Sequence, residues 1–415
     1  VDYRTSLLIL GFAITPFANA QSTPPSVATI FNFNTLQKGA NIYNGLTIGP
    51  GGVLYGTAEQ GGLSTSPCPV ATDGCGLAFQ LTPPSSPGGH WTETVLHRFG
   101  SKQDDGYYPS GTLTMGPNGV LYGTTAYGGV TGSVGTVFKL TPPASPGDSW
   151  KETVIHSFNG ANDGRYPAAG LALDHNGVLY GATTGGGTSS FGTVFSLKPP
   201  STPGDPWDER VLHSFAGAPL DGDGPNATLA IGPSGTLFGT TLIGGSLNNG
   251  AVFQVTPPPS PGSPWTETVL YSFVPYGGDG FAPTAGVTLG ADGVIYGPTQ
   301  DGGSSDYGAI YQLTPPASPG ASWTESVVYS FTGVDGDRGP CSSLVVGTGG
   351  VLYGTTIGGT AFELQPPASP GEQWTEIFAL ALNGEGHGGL VLDADGVLYG
   401  TATFNLDGNA FELIP

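Results

Sequence analysis

The sequence predicts an all-β protein, a single seven-bladed β-propeller of four-stranded antiparallel blades closed by an N-terminal strand that completes the last blade. Three observations carry this reading. A phrase of Gly, two mostly apolar residues, an aromatic and Gly occurs seven times, at 52–56, 119–123, 177–181, 235–239, 293–297, 350–354 and 396–400. Successive copies lie 67, 58, 58, 58, 57 and 46 residues apart, a spacing that marks propellers or arrays. The same four β-like runs surround each copy, and the two chain ends complement each other.

The second unit illustrates the elements. Its first run, 112–115, meets its second, 120–125, through Gly116-Pro117-Asn118-Gly119, where Pro presets φ and Asn-Gly accepts the positive φ of a tight hairpin. The third run is 136–140; the fourth, 152–158, follows the proline-rich linker 141–150. Each run is short, rich in Val, Leu, Thr and aromatics, and bounded by Gly or Pro. The blades are expected at about 43–99, 110–158, 168–215, 226–273, 284–331, 342–382 and 388–413.

The last unit stops after its third strand, whereas residues 27–33 read as a fourth strand with no first three before them. Pairing the two closes the ring and removes an edge that would otherwise template aggregation. An open stack gains nothing from such an arrangement.

Residues 1–20 read as an export signal: Arg4 is basic, 7–17 is mostly apolar, and Ala18-Asn19-Ala20 is a small-residue cleavage site. The single propeller then occupies 21–415, secreted or periplasmic after cleavage near Ala20, with no membrane span in the mature chain. Three cysteines in an exported chain imply one disulfide and one spare thiol. Cys68 and Cys75 share one loop and are the expected pair.

Charged residues are only 10% of the chain, and acids outnumber bases 31 to 10. Nucleic-acid binding needs clustered Lys and Arg to neutralise phosphates, so nucleic acid is excluded as a partner. An acidic surface suits cations, cationic partners and neutral polar ligands.

Phrases such as Gly177-Val178-Leu179-Tyr180-Gly181-Ala182-Thr183-Thr184, followed by Gly192-Thr193-Val194-Phe195-Ser196-Leu197, resemble the GloVer tandem-repeat family of exported bacterial proteins. The resemblance covers nearly all of the expected mature chain. It implies the repeat architecture and no assigned chemistry, so no functional residue is carried over. Family members are often tethered by C-terminal anchors, whereas this sequence ends at Pro415 without one; free secretion or a periplasmic location is the expectation.

In a propeller the loops from strand four to strand one and from strand two to strand three share one face, here termed the top. Five consecutive top loops carry Asp105, Asp163, Asp223, Asp279 and Asp337 beside glycines. Two readings compete: Asx-type turns that need no ligand, and a carboxylate ring at the channel mouth for Ca2+ or sugar hydroxyls. Ca2+ takes six to eight oxygens, and Asp221-x-Asp223 offers only a fragment of such a set. No other cofactor is implied. Tyr108, Tyr127, Tyr166 and Tyr307 interleave with these acids, the composition of a sugar- or peptide-binding surface and also of loops that pack on themselves.

The opposite face holds all six tryptophans, one in each proline-rich linker. A large aromatic repeated in every blade reads as packing rather than as a sugar platform. His97, His156 and His213 share one position of the fourth strand, taken by Tyr271 and Tyr329 in later blades. Without His-x-His or His-x-x-x-His spacing, no zinc site is expected, and no Gly-x-Ser-x-Gly elbow is present. The sequence therefore points to a monomeric, non-catalytic binding or scaffold propeller contacting an extracellular glycan, peptide or protein through its top face. The alternative is a carbohydrate-active hydrolase or lyase using paired top-face aspartates.

Overall fold

A computed structural model describes residues 25–62, 73–86, 88–102, 104–130, 134–145, 147–260, 262–275, 277–318, 320–369, 372–404 and 407–414. Blade 2 shows the repeating unit: Gly106–Met115, Leu121–Gly128, Thr136–Thr141 and Lys151–Ser157 pair antiparallel in sequence order. The outer strands of the first six blades are Thr92–Arg98, Lys151–Ser157, Asp208–Ser214, Thr266–Ser272, Thr324–Ser330 and Thr375–Ala381. Blade 7 is built from Leu390–Leu392, Leu398–Phe404 and Asp407–Ile414, and its outer strand is Ser26–Phe33. Val27 pairs with Leu413 and Phe33 with Gly408, so the expected one-plus-three closure forms.

The repeated phrase earns its final glycine by close approach. A Cβ on Gly123 would stand 2.5 Å from the Phe138 ring, and the same clash recurs at Gly56 under Phe79 and at Gly181 under Phe195. The third-strand aromatic thus reaches over the second strand of its own blade. It also meets the aromatic that ends the preceding outer strand: Phe99 on Phe138, Phe158 on Phe195, Phe215 on Phe253, Phe273 on Tyr311 and Phe331 on Phe362, with centroids 4.9–5.1 Å apart. Phe33 continues the series onto Phe79 at 4.7 Å, joining the N-terminal strand to blade 1. All of these rings are fully buried, and such pairs add about 0.5–1.5 kcal/mol each beyond area burial.

The tryptophans are structural, but their partner is the preceding blade rather than their own linker alone. Trp150 meets Tyr55, Trp207 meets Tyr122, Trp265 meets Tyr180, Trp323 meets Phe238 and Trp374 meets Tyr296. Across the closure, Trp91 meets Tyr399 of blade 7. The aromatic of the repeated phrase is therefore, in six of the seven copies, the receiving surface for the next blade's tryptophan. Near the axis, threonines lash blades together: Thr124 donates to the Ala169 carbonyl, Thr240 to that of Ala285, and Thr401 to that of Asn44. Residues 1–20 and Cys68 lie outside the described residues. Cys75 is buried, and Cys341 is a free thiol. No helix among the described residues is long and apolar enough to cross a membrane.

Candidate functional site

Five consecutive top loops between blades carry a carboxylate folded back on the loop's own backbone. Asp105 accepts from the Ser101 N–H and hydroxyl, Asp163 from the Asn159 N–H, Asp279 from the Val274 N–H and Asp337 from the Thr332 N–H. In blade 4 that place belongs to Asp221, which accepts from the Ala216 and Gly222 N–H groups. This corrects the expectation for Asp223, which sits two residues on, is half-buried and has its pKa raised by burial. The doublet Asp221-Gly222-Asp223-Gly224 offers two equally spaced candidates by sequence, and only the loop's hydrogen bonds separate them.

The outer strand supplies a second partner for these acids. His97 Nε2 lies 3.2 Å from Asp105 Oδ2, His213 Nε2 lies 3.0 Å from Asp221 Oδ2, and Tyr271 donates to Asp279 at 2.8 Å. A β-bulge just before each of these residues, as between Ala78 and Phe79 against 95–97, breaks the alternation of the outer strand and re-aims the side chain toward the loop. Burial works against the Asp221 carboxylate, but the His213, Ala216 and Gly222 donors outweigh it and hold its pKa below the ordinary value. Asp105, Asp221 and Asp279 are tied to the outer strand in this way, whereas beside Asp337 the strand's Tyr329 bonds Glu376 instead. The loop aspartates do not form the expected ring at the channel mouth, whose lining contains none of them.

The mouth itself is lined from all seven blades. A depression of about 290 Å³ lies over the first residues of the inner strands, and it opens into a bowl of about 560 Å³ that adds Gln300, Arg338, Ile357 and Glu385. One register position dominates the lining, four residues before the end of each loop's approach to the inner strand: Tyr43, Ser110, Ala168, Asn226, Thr284, Cys341 and His387. In five blades it directly follows a proline, at 109, 167, 225, 283 and 340. Seven copies of one framework thus carry seven different side chains here. All except Ser110, which donates to the Pro167 carbonyl, line the mouth.

On one side of the mouth the side chains touch. The Tyr43 and His387 rings stand edge to face at 5.3 Å, and His387 Nε2 lies 2.8 Å from Glu385 Oε2. Cys341 is partly buried with its thiol toward the Gly386 carbonyl at 3.5 Å. Burial, with help from the Glu385 charge, pushes that thiol up to about 12, which leaves it protonated and a poor nucleophile at neutral pH.

Three of the four expected tyrosines come together beside the mouth, on blades 2 and 3. Tyr127 lies 5.9 Å from Tyr108, 5.2 Å from Tyr166 and stacked on Tyr107 at 5.6 Å, while the Arg165 guanidinium sits over the Tyr166 ring. Tyr307 lies elsewhere: it covers Gly333, as Phe191 covers Gly217 in blade 3. Tyr108 and Tyr166 hold φ of 57° and 58°, a left-handed conformation that costs a non-glycine residue about 1–3 kcal/mol. Gly224 and Gly339 occupy the same place in blades 4 and 6 with φ of 64° and 60°. Their N–H groups, like those of Tyr108 and Tyr166, bond the preceding blade: Tyr108 to the Cys75 carbonyl, Gly224 to that of Phe191. Asn41 and Ala282 hold the same place in blades 1 and 5, each with φ of 54°, so the turn keeps left-handed geometry whichever residue occupies it.

Residues 12–204 and 145–363 match the model of the Gloeobacter/Verrucomicrobia repeat. The chain belongs to this repeat family. No curated protein matches this Gloeobacter/Verrucomicrobia repeat protein by sequence. Among solved structures it is similar to a proposed 6-phosphogluconolactonase from Bacteroides uniformis, at 13% identity over 82% of this chain and 86% of that one, with a TM-score of 0.51. It is also similar to PorZ, a surface component of the type IX secretion system of Porphyromonas gingivalis, at 15% identity, 89% and 46% coverage and a TM-score of 0.51. The extracellular domain of a proposed hybrid two-component system from B. thetaiotaomicron gives 11% identity, 95% and 41% coverage and a TM-score of 0.52. The repeat protein thus spans less than half of the latter two chains, and at these identities the likeness is one of fold.

Proposed function

We propose that this repeat protein is an exported binding propeller whose axial mouth, with the tyrosine patch beside it, takes a neutral, hydroxyl-rich oligosaccharide. The observation that supports it best is the mouth register position, where Tyr43, Ala168, Asn226, Thr284, Cys341 and His387 share one concave lining. A position whose side chain faces a cavity rather than the core is free to differ between copies. Here the differences assemble amide, hydroxyl, imidazole and phenol groups around one bowl, with Gln300, Arg338 and Glu385 at its edge. Such mixed donors and acceptors beside exposed aromatic faces suit sugar rings and hydroxyls. The net charge of −21 disfavours polyanionic ligands. Export rests on the signal-like residues 1–20.

The paired-aspartate hydrolase loses its residues in this reading, because Asp105, Asp163, Asp221, Asp279 and Asp337 serve the loops that hold them. The test is a neutral-glycan and peptide array probed with wild-type protein and with a Tyr43→Ala, His387→Ala double variant. Oligosaccharide binding that falls at least tenfold in the variant supports the proposal. Oligosaccharide binding unchanged by the variant, or binding of peptides alone, overturns it.

A further inference from the structure

We propose that the interfaces between blades 1 and 2 and between blades 3 and 4 each bind a zinc-like divalent transition-metal ion, through His97, Asp105 and Glu152 and through His213, Asp221 and Glu267. The glutamate is the second residue of the next blade's outer strand, so each interface brings His and Asp from one blade to Glu from its neighbour. In both groups one ligand atom per residue lies within 4.8 Å of the other two. A neutral imidazole nitrogen with two carboxylate oxygens is a donor set suited to Zn2+, with a fourth position left for water.

At the first interface the glutamate is more deeply buried than its counterparts Glu93, Glu209, Glu267, Glu325 and Glu376, all of which share a bare Oε1. The Glu152 side chain is 3% exposed, and its Oε1 is buried without a hydrogen bond among the described residues. Lys102 accounts for the other oxygen, Oε2, at 3.0 Å. A buried carboxylate oxygen left bare is costly, and this carboxylate is grouped with a His–Asp pair whose side chains are 11% and 0% exposed. A cavity of about 310 Å³ bounded by Lys102, Asp104, Asp105 and Glu152 opens onto the group and gives an ion a route from solvent. The second interface repeats the arrangement without a lysine: Glu267 Oε1 is likewise buried and unbonded.

The chain provides its own reference. At the next two interfaces Tyr271 and Tyr329 replace the histidine, and their hydroxyls bond one oxygen each of Asp279 and Glu376, while Asp279 Oδ1, Glu325 Oε1 and Glu376 Oε1 stay buried without a partner. A tyrosine is therefore accepted at this place by the fold while removing the nitrogen ligand. The test uses untagged, chelator-stripped protein titrated with zinc chloride, with bound metal counted by elemental analysis and Tm recorded with and without zinc. Wild type is expected to hold about two equivalents, His97→Tyr and His213→Tyr about one each, and the double variant none, with the zinc-induced rise in Tm lost in parallel. Wild-type protein that retains no zinc, or a double variant that keeps the wild-type stoichiometry, overturns the proposal.

Discussion

His213 and Asp221 stand eight residues apart along the chain, yet the imidazole Nε2 and the carboxylate Oδ2 are 3.0 Å apart. The pair clamps the loop that leaves blade 3 for blade 4, because the same oxygen accepts from the Ala216 N–H.

Removing this acid strands a histidine and a loop N–H, so Asp221→Ala should destabilise the propeller by about 1–3 kcal/mol. Asp223→Asn should change stability by less than about 0.5 kcal/mol, as a half-buried position away from the clamp. Chemical denaturation of the two variants checks this. Equal losses would return Asp223 to the structural role assigned here to Asp221.

The tyrosines with positive φ make the opposite kind of prediction. Tyr166→Gly relieves about 1–3 kcal/mol of backbone strain and forfeits ring contacts with Tyr127 of about 0.5–1.5 kcal/mol. Stability should therefore hold or rise, while binding to any oligosaccharide identified on the array weakens. A large fall in Tm with unchanged binding would make the ring a structural part of the loop.

Much of this was legible in the chain itself, for reasons that can be named. The phrase ending in Gly123 recurs because a third-strand aromatic needs that bare backbone, and the strand at 27–33 was recognisable because it matches other outer strands. Two relations were not legible. The histidines of the outer strand and the aspartates of the loops were each visible as a series, but nothing in a list of residues shows that a β-bulge turns one toward the other. The mouth residues share no chemistry, so a search for repeated chemistry passes over them. Their signal was the reverse: a column of dissimilar side chains behind prolines 109, 167, 225, 283 and 340.

The inter-blade glutamates set a pH dependence. Burial, reinforced by Asp163, pushes Glu209 up to about 7, and burial with Asp279 does the same for Glu325. An acid whose folded pKa is raised favours the folded state below its unfolded value near 4.5, and that contribution is lost as pH rises through 7. With chelator present, Tm should therefore fall between pH 5 and pH 8, and Glu209→Gln with Glu325→Gln should flatten the fall. A double variant with the wild-type slope would show that other groups set it.

Closure of the ring rests on Phe33, which is 1% exposed and meets Phe79 at 4.7 Å. Phe33→Ala should cost about 3–5 kcal/mol and free the edge of Asp407–Ile414 for association. Calorimetry and light scattering together check this, and a variant that melts like wild type and stays monomeric contradicts the closure.

The location of the binding surface is tested most directly by hydrogen exchange of the protein with and without a bound neutral oligosaccharide. Protection is predicted in the inner-strand approaches around Tyr43, Asn226, Thr284 and His387 and in the loops of Tyr108 and Tyr166, with the linkers before Trp150 and Trp265 unchanged. Protection confined to those tryptophan linkers would place the binding surface on the opposite face and contradict the assignment.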